Sequence, residues 1–251
     1  MFRKAILATG LIAACGMGSA ASAKPADVTG SYGGVAALAG EFTTAILPYI
    51  EQENLYRLFG EMQFGRSPTL KIAGTLRNDG SCRIKGSAAE TSVVFDADWV
   101  GFGGGAGALV GGASVTTGKE TVHGSMAYLR PFSPTGKPKP DARGSYAGRF
   151  VDGGGIDGEA VAGISDGASN TLTMNLRLFD GKNAIDFVAA ADVNSDGSFA
   201  SAGLDADGNI ITITGTRTEG AGGTQLRLNY EISTPDGFPI NVGGIIAILI
   251  G

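Results

Sequence analysis

The sequence holds one histidine, two cysteines and no long hydrophobic run, and these scarcities exclude several classes of protein. Sites built from cysteine and histidine need three or four such ligands, and a histidine-based triad needs its histidine beside the nucleophile. No apolar stretch reaches the roughly 20 residues that a transmembrane helix requires. Charged residues make up only 17% of the chain, whereas hydrophobic residues make up 43%, which is enough to form a folded core.

Glycine is the residue in excess. The chain of 251 residues has 42 glycines, about 17% against a usual ~7%. There is no collagen-like period, and with nine prolines the sequence stays below the composition of low-complexity chains. This composition favours a globular fold with many tight turns and bulges.

Residues 1–23 are typical of a secretory signal peptide. Two basic residues precede the apolar residues 5–14, and residues 21–23 (ASA) form a small-x-small cleavage site. An alternative is the lipobox-like residues 12–15 (IAAC), in which Cys15 would be acylated and become the N-terminus. Both routes predict an exported protein, located in the periplasm, on the cell surface or outside the cell, with a lipid anchor in the second case. Both also leave Cys82 as the only free thiol, which excludes an internal disulfide.

The rest of the chain contains an internal repeat. Three pairs of matching segments occur in the same order: residues 27–34 and 141–148, which share the pattern Asp-x-x-Gly-Ser-Tyr-x-Gly, residues 78–81 and 195–198, and residues 132–136 and 232–237. This order predicts a first β unit over residues 24–132 and a second over residues 141–251. Residues 133–140, with three prolines, are expected to form a stiff exposed linker.

Apolar and polar residues alternate with a period of two in residues 171–179, 210–216 and 225–232, which is typical of strands. Asp-Gly dipeptides, which supply the positive φ of hairpin turns, separate these segments. The sequence therefore predicts an all-β fold of antiparallel hairpins forming two related sheet or barrel units. The apolar residues 243–251 are expected to form a buried last strand.

One short helix is expected near residues 48–59 of the first unit. Pro48 suits the first turn of a helix, and Ile50, Leu55, Leu58 and Phe59 can share one helical face.

Acidic residues concentrate in the second unit. Residues 141–251 carry a net charge of −8, whereas residues 24–140 carry +1. Nucleic acid is therefore not expected as a partner, because it needs a basic surface.

Several of these acidic residues are candidate ligands for a weakly bound calcium ion. Asp192, Asn194 and Asp196, followed by glycine, match the opening of a calcium loop, and Asp205 and Asp207 lie close enough in sequence to add oxygens. The twelfth position is Gly203 rather than the bidentate Glu of an EF-hand. Hairpin turns select the same residue types, so ordinary turns are the alternative. No other cofactor is expected.

Catalytic motifs are incomplete, and no catalytic residue is assigned. Residues 163–167 fit the string G-x-S-x-G, but the single histidine, His123, precedes Ser165 and no helical pattern follows. Asp96 and Asp98 would share one face of a strand, as paired glycosidase acids can, but a solvated strand face also selects such residues.

Residues 47–56 (LPYIEQENLY) resemble a motif of a large family of exported, pilin-like proteins of unknown function that is abundant in planctomycetes. Residues 145–148 and 164–172 are similar to later signatures of that family, in the same order. The resemblance implies export and brings no catalytic residues. Separately, the Gly-x-Tyr-x-Gly openings followed by Asp-Gly hairpins are similar in style to small calycin-like barrels.

These observations predict an exported, non-catalytic envelope or surface protein, a β-barrel module that binds a small ligand or an envelope component. Two alternatives come from other classes. One is a secreted hydrolase built on carboxylates, and the other is a structural surface module that assembles through strand edges.

Overall fold

The computed structural model describes residues 27–54 and 56–251, and their regular structure is entirely β. The strands are β1 (Gly30–Leu38), β2 (Glu41–Gln52), β3 (Arg57–Phe64), β4 (Leu70–Leu76), β5 (Ser81–Ala88), β6 (Thr91–Gly103), β7 (Ala106–Thr117), β8 (Glu120–Arg130), β9 (Gly144–Asp152), β10 (Asp157–Asp166), β11 (Leu172–Phe179), β12 (Ala184–Val193), β13 (Ser198–Asp205), β14 (Ile210–Gly220), β15 (Gly223–Ser233) and β16 (Pro239–Leu249). The first eight form one closed antiparallel barrel and the last eight form another. The prediction of an all-β fold with two antiparallel units is confirmed. The predicted signal peptide and Cys15 lie outside the described residues.

Each barrel closes because its last strand pairs with its first. In the first barrel β8 pairs with β1, with Ala127 opposite Val35. In the second barrel β16 pairs with β9, with Ile246 opposite Arg149. Closure satisfies the backbone groups that an edge strand would expose. Among the described strands there is thus no free edge through which a surface module could assemble.

The predicted helix near residues 48–59 is wrong, because residues 48–52 end β2 and residues 57–59 begin β3, while Leu55 lies outside the described residues. Ile50 and Leu58 are buried in the barrel, whereas Tyr49 and Phe59 are exposed on its outer wall. This is the two-residue alternation of strands, which a short apolar segment can share with a helix. Pro48 lies where the register between β2 and β3 shifts, an irregularity that accommodates its missing N–H.

Large apolar side chains fill the interior of each barrel. Tyr32, Phe95 and Tyr128 are fully buried in the first barrel, where the rings of Phe95 and Tyr128 meet edge to face with centroids 5.6 Å apart. Phe187 and Phe199 are buried in the same way in the second barrel. Both interiors are therefore packed cores, as expected for barrels of eight strands.

Two of the three repeated segments occupy the same place in each barrel. Residues 31–32 and 145–146 lie in the first strand of each, and residues 78–81 and 195–198 form the turn between the fourth and fifth strands. The third pair does not correspond, because residues 132–136 follow β8 whereas residues 232–237 comprise the end of β15 and the start of its connection to β16. Both segments combine proline, glycine and serine because both make turns, which accounts for their likeness.

The two barrels contact each other through walls of small and aliphatic residues. The cluster between them consists of Val35, Ala37, Ala108, Val110 and Ala127 from the first barrel and Ala202, Leu204 and Ile210 from the second. The contact is close at Gly33, where a Cβ atom would lie 2.3 Å from Thr171 Oγ1. β1, β7 and β8 thus face β12 to β14, and grooves form where the two convex walls diverge.

Candidate functional site: a groove at the barrel junction

One of these grooves lies between the outer wall of the first barrel and the turn that connects β15 to β16. Its volume is about 590 Å³, and we call it the junction groove. The outer faces of β5 to β8 form its floor, and Pro235 and Asp236 of the second barrel form its far side. Its polar lining comprises Arg77, Ser81, Arg83, Asp96, Asp98, Ser114, His123 and Asp236.

Strand alternation and register bring these side chains together. On β6, Asp96 and Asp98 point outward because Phe95 and Ala97 point into the core. Asp96 lies opposite Gly112 of β7. A Cβ atom at Gly112 would have no neighbour within 4 Å, so this glycine leaves the floor open.

The same register places a serine and the single histidine side by side. Ser114 of β7 lies opposite His123 of β8, with Ser114 Oγ 2.9 Å from His123 Nδ1.

The groove carries charges of both signs. Arg83 Nε lies 3.4 Å from Asp96 Oδ1, and both side chains are more than half exposed. Asp98 turns toward the second barrel, since its Oδ2 is 4.0 Å from the position that a Cβ atom of Gly237 would take. Such a surface can pair with a ligand that presents both a cationic and an anionic group.

The groove holds only part of the arrangement that a catalytic triad or a catalytic pair of carboxylates uses. Ser114 and His123 are in contact as a nucleophile and base would be, but within the described residues no carboxylate is bonded to the other ring nitrogen of His123. A triad needs that third group to orient the imidazole. Asp96 is paired with Arg83 in an open groove, without the exclusion of water on which carboxylate catalysis depends.

Asp192, the first of the predicted calcium ligands, forms a half-buried ion pair. Its side chain is 4% exposed, and Lys139 Nζ lies 2.9 and 2.7 Å from its two carboxylate oxygens. Phe132 N also donates to Asp192 Oδ2 at 2.8 Å. An ammonium group thus occupies the place that a cation would need.

The remaining predicted ligands act in hairpin turns and are not brought together. Asn194 and Asp196 lie in the β12–β13 turn, where Asp196 Oδ1 accepts from Ser198 N at 2.9 Å. Asp205 and Asp207 lie at the other end of β13, where both Asp205 oxygens accept from Asn209. The eight residues of β13 separate the two sets, by roughly 25 Å at ~3.3 Å per residue. Over the described part of the chain, no three His, Cys, Asp or Glu residues are placed to hold a metal ion.

Sequence reasoning found only part of this groove. The alternation in β6 marked Asp96 and Asp98, but nothing local connects them with Arg77 or with Asp236, which is more than a hundred residues away. Ser165 lies exposed in β10, outside the groove. The segments that resemble the pilin-like family lie in β2 and its turn, in β9, and across the β10–β11 turn.

Comparison with known proteins gives no family assignment. No family model and no curated protein matches the sequence. One similar solved structure is a protein with unknown function from the DUF3598 family of Nostoc punctiforme, with 8% identity over 88% of this chain and 94% of that chain, and a TM-score of 0.25. A likeness at this level bears on neither fold nor function. A bilayer-crossing helix is absent from the described residues, where none has the necessary length and hydrophobicity.

Proposed function

We propose that the protein is an exported, non-catalytic binding protein of the cell envelope or surface, and that the junction groove is its ligand site. The observation that carries this proposal is the contrast between the two filled barrel cores and the open polar groove between the barrels. A ligand-sized space occurs where side chains from both barrels converge, which is a common place for binding sites. Residues 1–23 support export, with lipidation of Cys15 as the alternative route.

The lining favours a small polar ligand with charges of both signs, the chemistry of amino acids and short peptides. Arg77 and Arg83 can bind a carboxylate, Asp98 and Asp236 can bind an ammonium group, and Ser114 can donate or accept a hydrogen bond. Because the groove is open and wet, modest affinity is expected, with specificity coming from the spacing of charges.

Calorimetric titration of the purified protein with a panel of amino acids, dipeptides and neutral saccharides tests this proposal. We expect binding of zwitterionic compounds, weakened about tenfold or more in Arg83→Gln and Asp98→Asn. Arg177→Gln is the matched control, because Arg177 forms a similar exposed pair with Asp186 on the wall of the second barrel. Saccharide binding that is weakened by the same two variants would change the ligand class. Binding that neither groove variant weakens would exclude this site.

The alternative of a secreted hydrolase is tested on the same protein. Generic glycosidase and esterase substrates should not be turned over. Turnover that disappears in Asp96→Asn or in Ser114→Ala would show that the groove is catalytic and would overturn the proposal.

A further inference from the structure

The outer face of β16 carries a stripe of exposed aliphatic side chains. Ile240, Val242, Ile246 and Ile248 are each between 43% and 53% exposed, and Gly244 lies at their centre; we call these five residues the outer stripe. The last strand was predicted to be buried, but only its inward-facing residues are. A contiguous apolar stripe, unlike scattered single residues, marks a contact site.

No described part of the chain covers this stripe. The first barrel packs against β12 to β14, and in the eight-stranded barrel β16 lies three strands away from β13 and two strands away from β14. The stripe therefore lies on the flank of the second barrel, and Glu231 beside it also lines a small groove with Asp98 and Val110 of the first barrel. A hollow of about 560 Å³ lies beside Gly244, lined in part by Val151, Arg227 and Asn229.

The residue types of the outer stripe and of the neighbouring strand β15 are arranged symmetrically about Gly244. Aliphatic residues lie two and four positions on each side of Gly244. On β15, Asn229 lies opposite Gly244, Arg227 lies opposite Ile246, and Glu231 lies opposite Val242. Opposite charges are thus placed symmetrically about the same centre.

These two charges are not neutralised within the described residues. Arg227 Nε donates to Gln225 Oε1 at 2.7 Å, and neither Arg227 nor Glu231 forms an ion pair there. Arg149, on the other side of β16, is paired with Asp157. The unpaired charges beside the stripe are therefore one of each sign, four residues apart on one strand.

We propose that a second copy of this chain docks on the outer stripe and forms a two-fold symmetric dimer. The axis lies in the interface and runs across the strands at Gly244. Rotation about it sets Ile246 of one copy against Val242 of the other, and Arg227 of one copy against Glu231 of the other. The surface is then self-complementary in apolar character and charge, which an isologous interface requires.

The convex shape of the two barrel walls limits the area of the dimer interface. Two convex barrel walls meet along a narrow strip, so the buried area is at the small end for specific complexes, near ~1,200 Å² in total. We therefore expect a weak, reversible dimer, since interfaces of this size are typical of transient complexes. Gly244 at the axis allows the two strands to approach without a side chain between them.

Analytical ultracentrifugation of the exported protein over a concentration series tests the stripe. We expect a reversible monomer–dimer equilibrium, weakened about tenfold or more in Ile246→Lys. Phe59→Lys is the control, because Phe59 is 42% exposed on the outer wall of the first barrel. A wild-type protein that remains monomeric throughout would overturn the proposal, and flotation of that monomer with phosphatidylcholine vesicles would assign the stripe to a membrane instead.

Charge exchange tests the symmetry. Arg227→Glu and Glu231→Arg should each weaken self-association about tenfold, because each places like charges in contact twice. The double variant should restore it, since both pairs become attractive again. A mixture of the two single variants should form heterodimers while neither forms homodimers. Single variants that dimerise as well as the wild type, or a double variant that fails to recover, would rule out this arrangement.

Discussion

Lys139 and Asp192 connect the segment between the barrels to the wall of the second barrel. The Lys139 ammonium contacts both carboxylate oxygens of Asp192, and Phe132 N donates to one of them. Lys139 remains 39% exposed along its side chain while Asp192 is almost fully enclosed. The ion pair thus holds a stretch without regular structure against β12, where it contributes to the barrel–barrel contact.

Asp192→Ala should lower the free energy of unfolding by about 2–3 kcal/mol, because it leaves Phe132 N and Lys139 without their acceptor. Urea denaturation measures this change. Asp196→Ala, in the exposed neighbouring turn, should cost less than about 1 kcal/mol. Removal of calcium with a chelator should leave wild-type stability unchanged. A calcium-dependent stabilisation that disappears in both variants would instead establish a metal site.

Gly33→Ala should weaken the contact between the barrels, because the new Cβ would lie 2.3 Å from Thr171 Oγ1 and 2.6 Å from Ala168 O. We expect a loss of about 2 kcal/mol or more, typical of overpacking. Gly163→Ala is the control, since a Cβ there has no neighbour within 4 Å. Equal melting temperatures for the two variants would contradict the close approach.

Tyr32→Phe and Tyr146→Phe should each cost about 1 kcal/mol, because each leaves a buried carbonyl without a donor. The Tyr32 hydroxyl donates to Val28 O at 2.5 Å and the Tyr146 hydroxyl to Ala142 O at 2.9 Å. Since the two sites lie in different barrels, the double variant should show additive losses in denaturation experiments. Strongly non-additive losses of stability would mean that the two barrels are coupled through the segments that contain Tyr32 and Tyr146.

Stability should fall at alkaline pH. Burial raises the pKa of the Cys82 thiol to about 12 and raises the pKa of the Tyr128 hydroxyl above its ordinary value of 10.0. Both groups are neutral when folded and ionise more readily when unfolded. The contribution of these two groups to the free energy of unfolding is therefore complete below their pKa values in the unfolded state. It is lost as the pH rises toward their pKa values in the folded state.

Denaturant titrations from about pH 8 to about pH 11 measure this decline, whose slope is at most ~1.4 kcal/mol per pH unit for each group. Cys82→Ala should reduce the slope above about pH 9. Native Cys82 should also resist thiol reagents until the first barrel unfolds. Rapid labelling of the native protein would contradict the burial of this thiol.

The strands and turns of this fold could be predicted because their determinants are local. Thr173 to Leu178 alternate in sequence as they do in β11, and Asp196-Gly197 forms the turn that its residue types favour. The helix prediction near residues 48–59 failed because a helix and a pair of strands joined by a turn can both bury Ile50 and Leu58.

The candidate site was less predictable because it depends on how two walls meet. Asp98 and Asp236 come together only through the packing of β7 and β8 against β13, which no local pattern encodes. The proposed role of Asp192 as a calcium ligand rested on spacing alone. Its partner Lys139 is 53 residues away, in a segment expected to be an exposed linker.

Because the second barrel is closed, the chain could begin at a different strand without changing which strands are neighbours. Ser145 N donates to Gly251 O at 2.7 Å and Ile250 N donates to Ser145 O at 2.8 Å, so the two ends of this barrel lie side by side. A short peptide could join Gly251 to residue 141, and new termini could be opened at an exposed turn such as residues 180–183. A circularly permuted second barrel should therefore keep the same wall and core, with the outer stripe moved from the last strand of the barrel to its fifth.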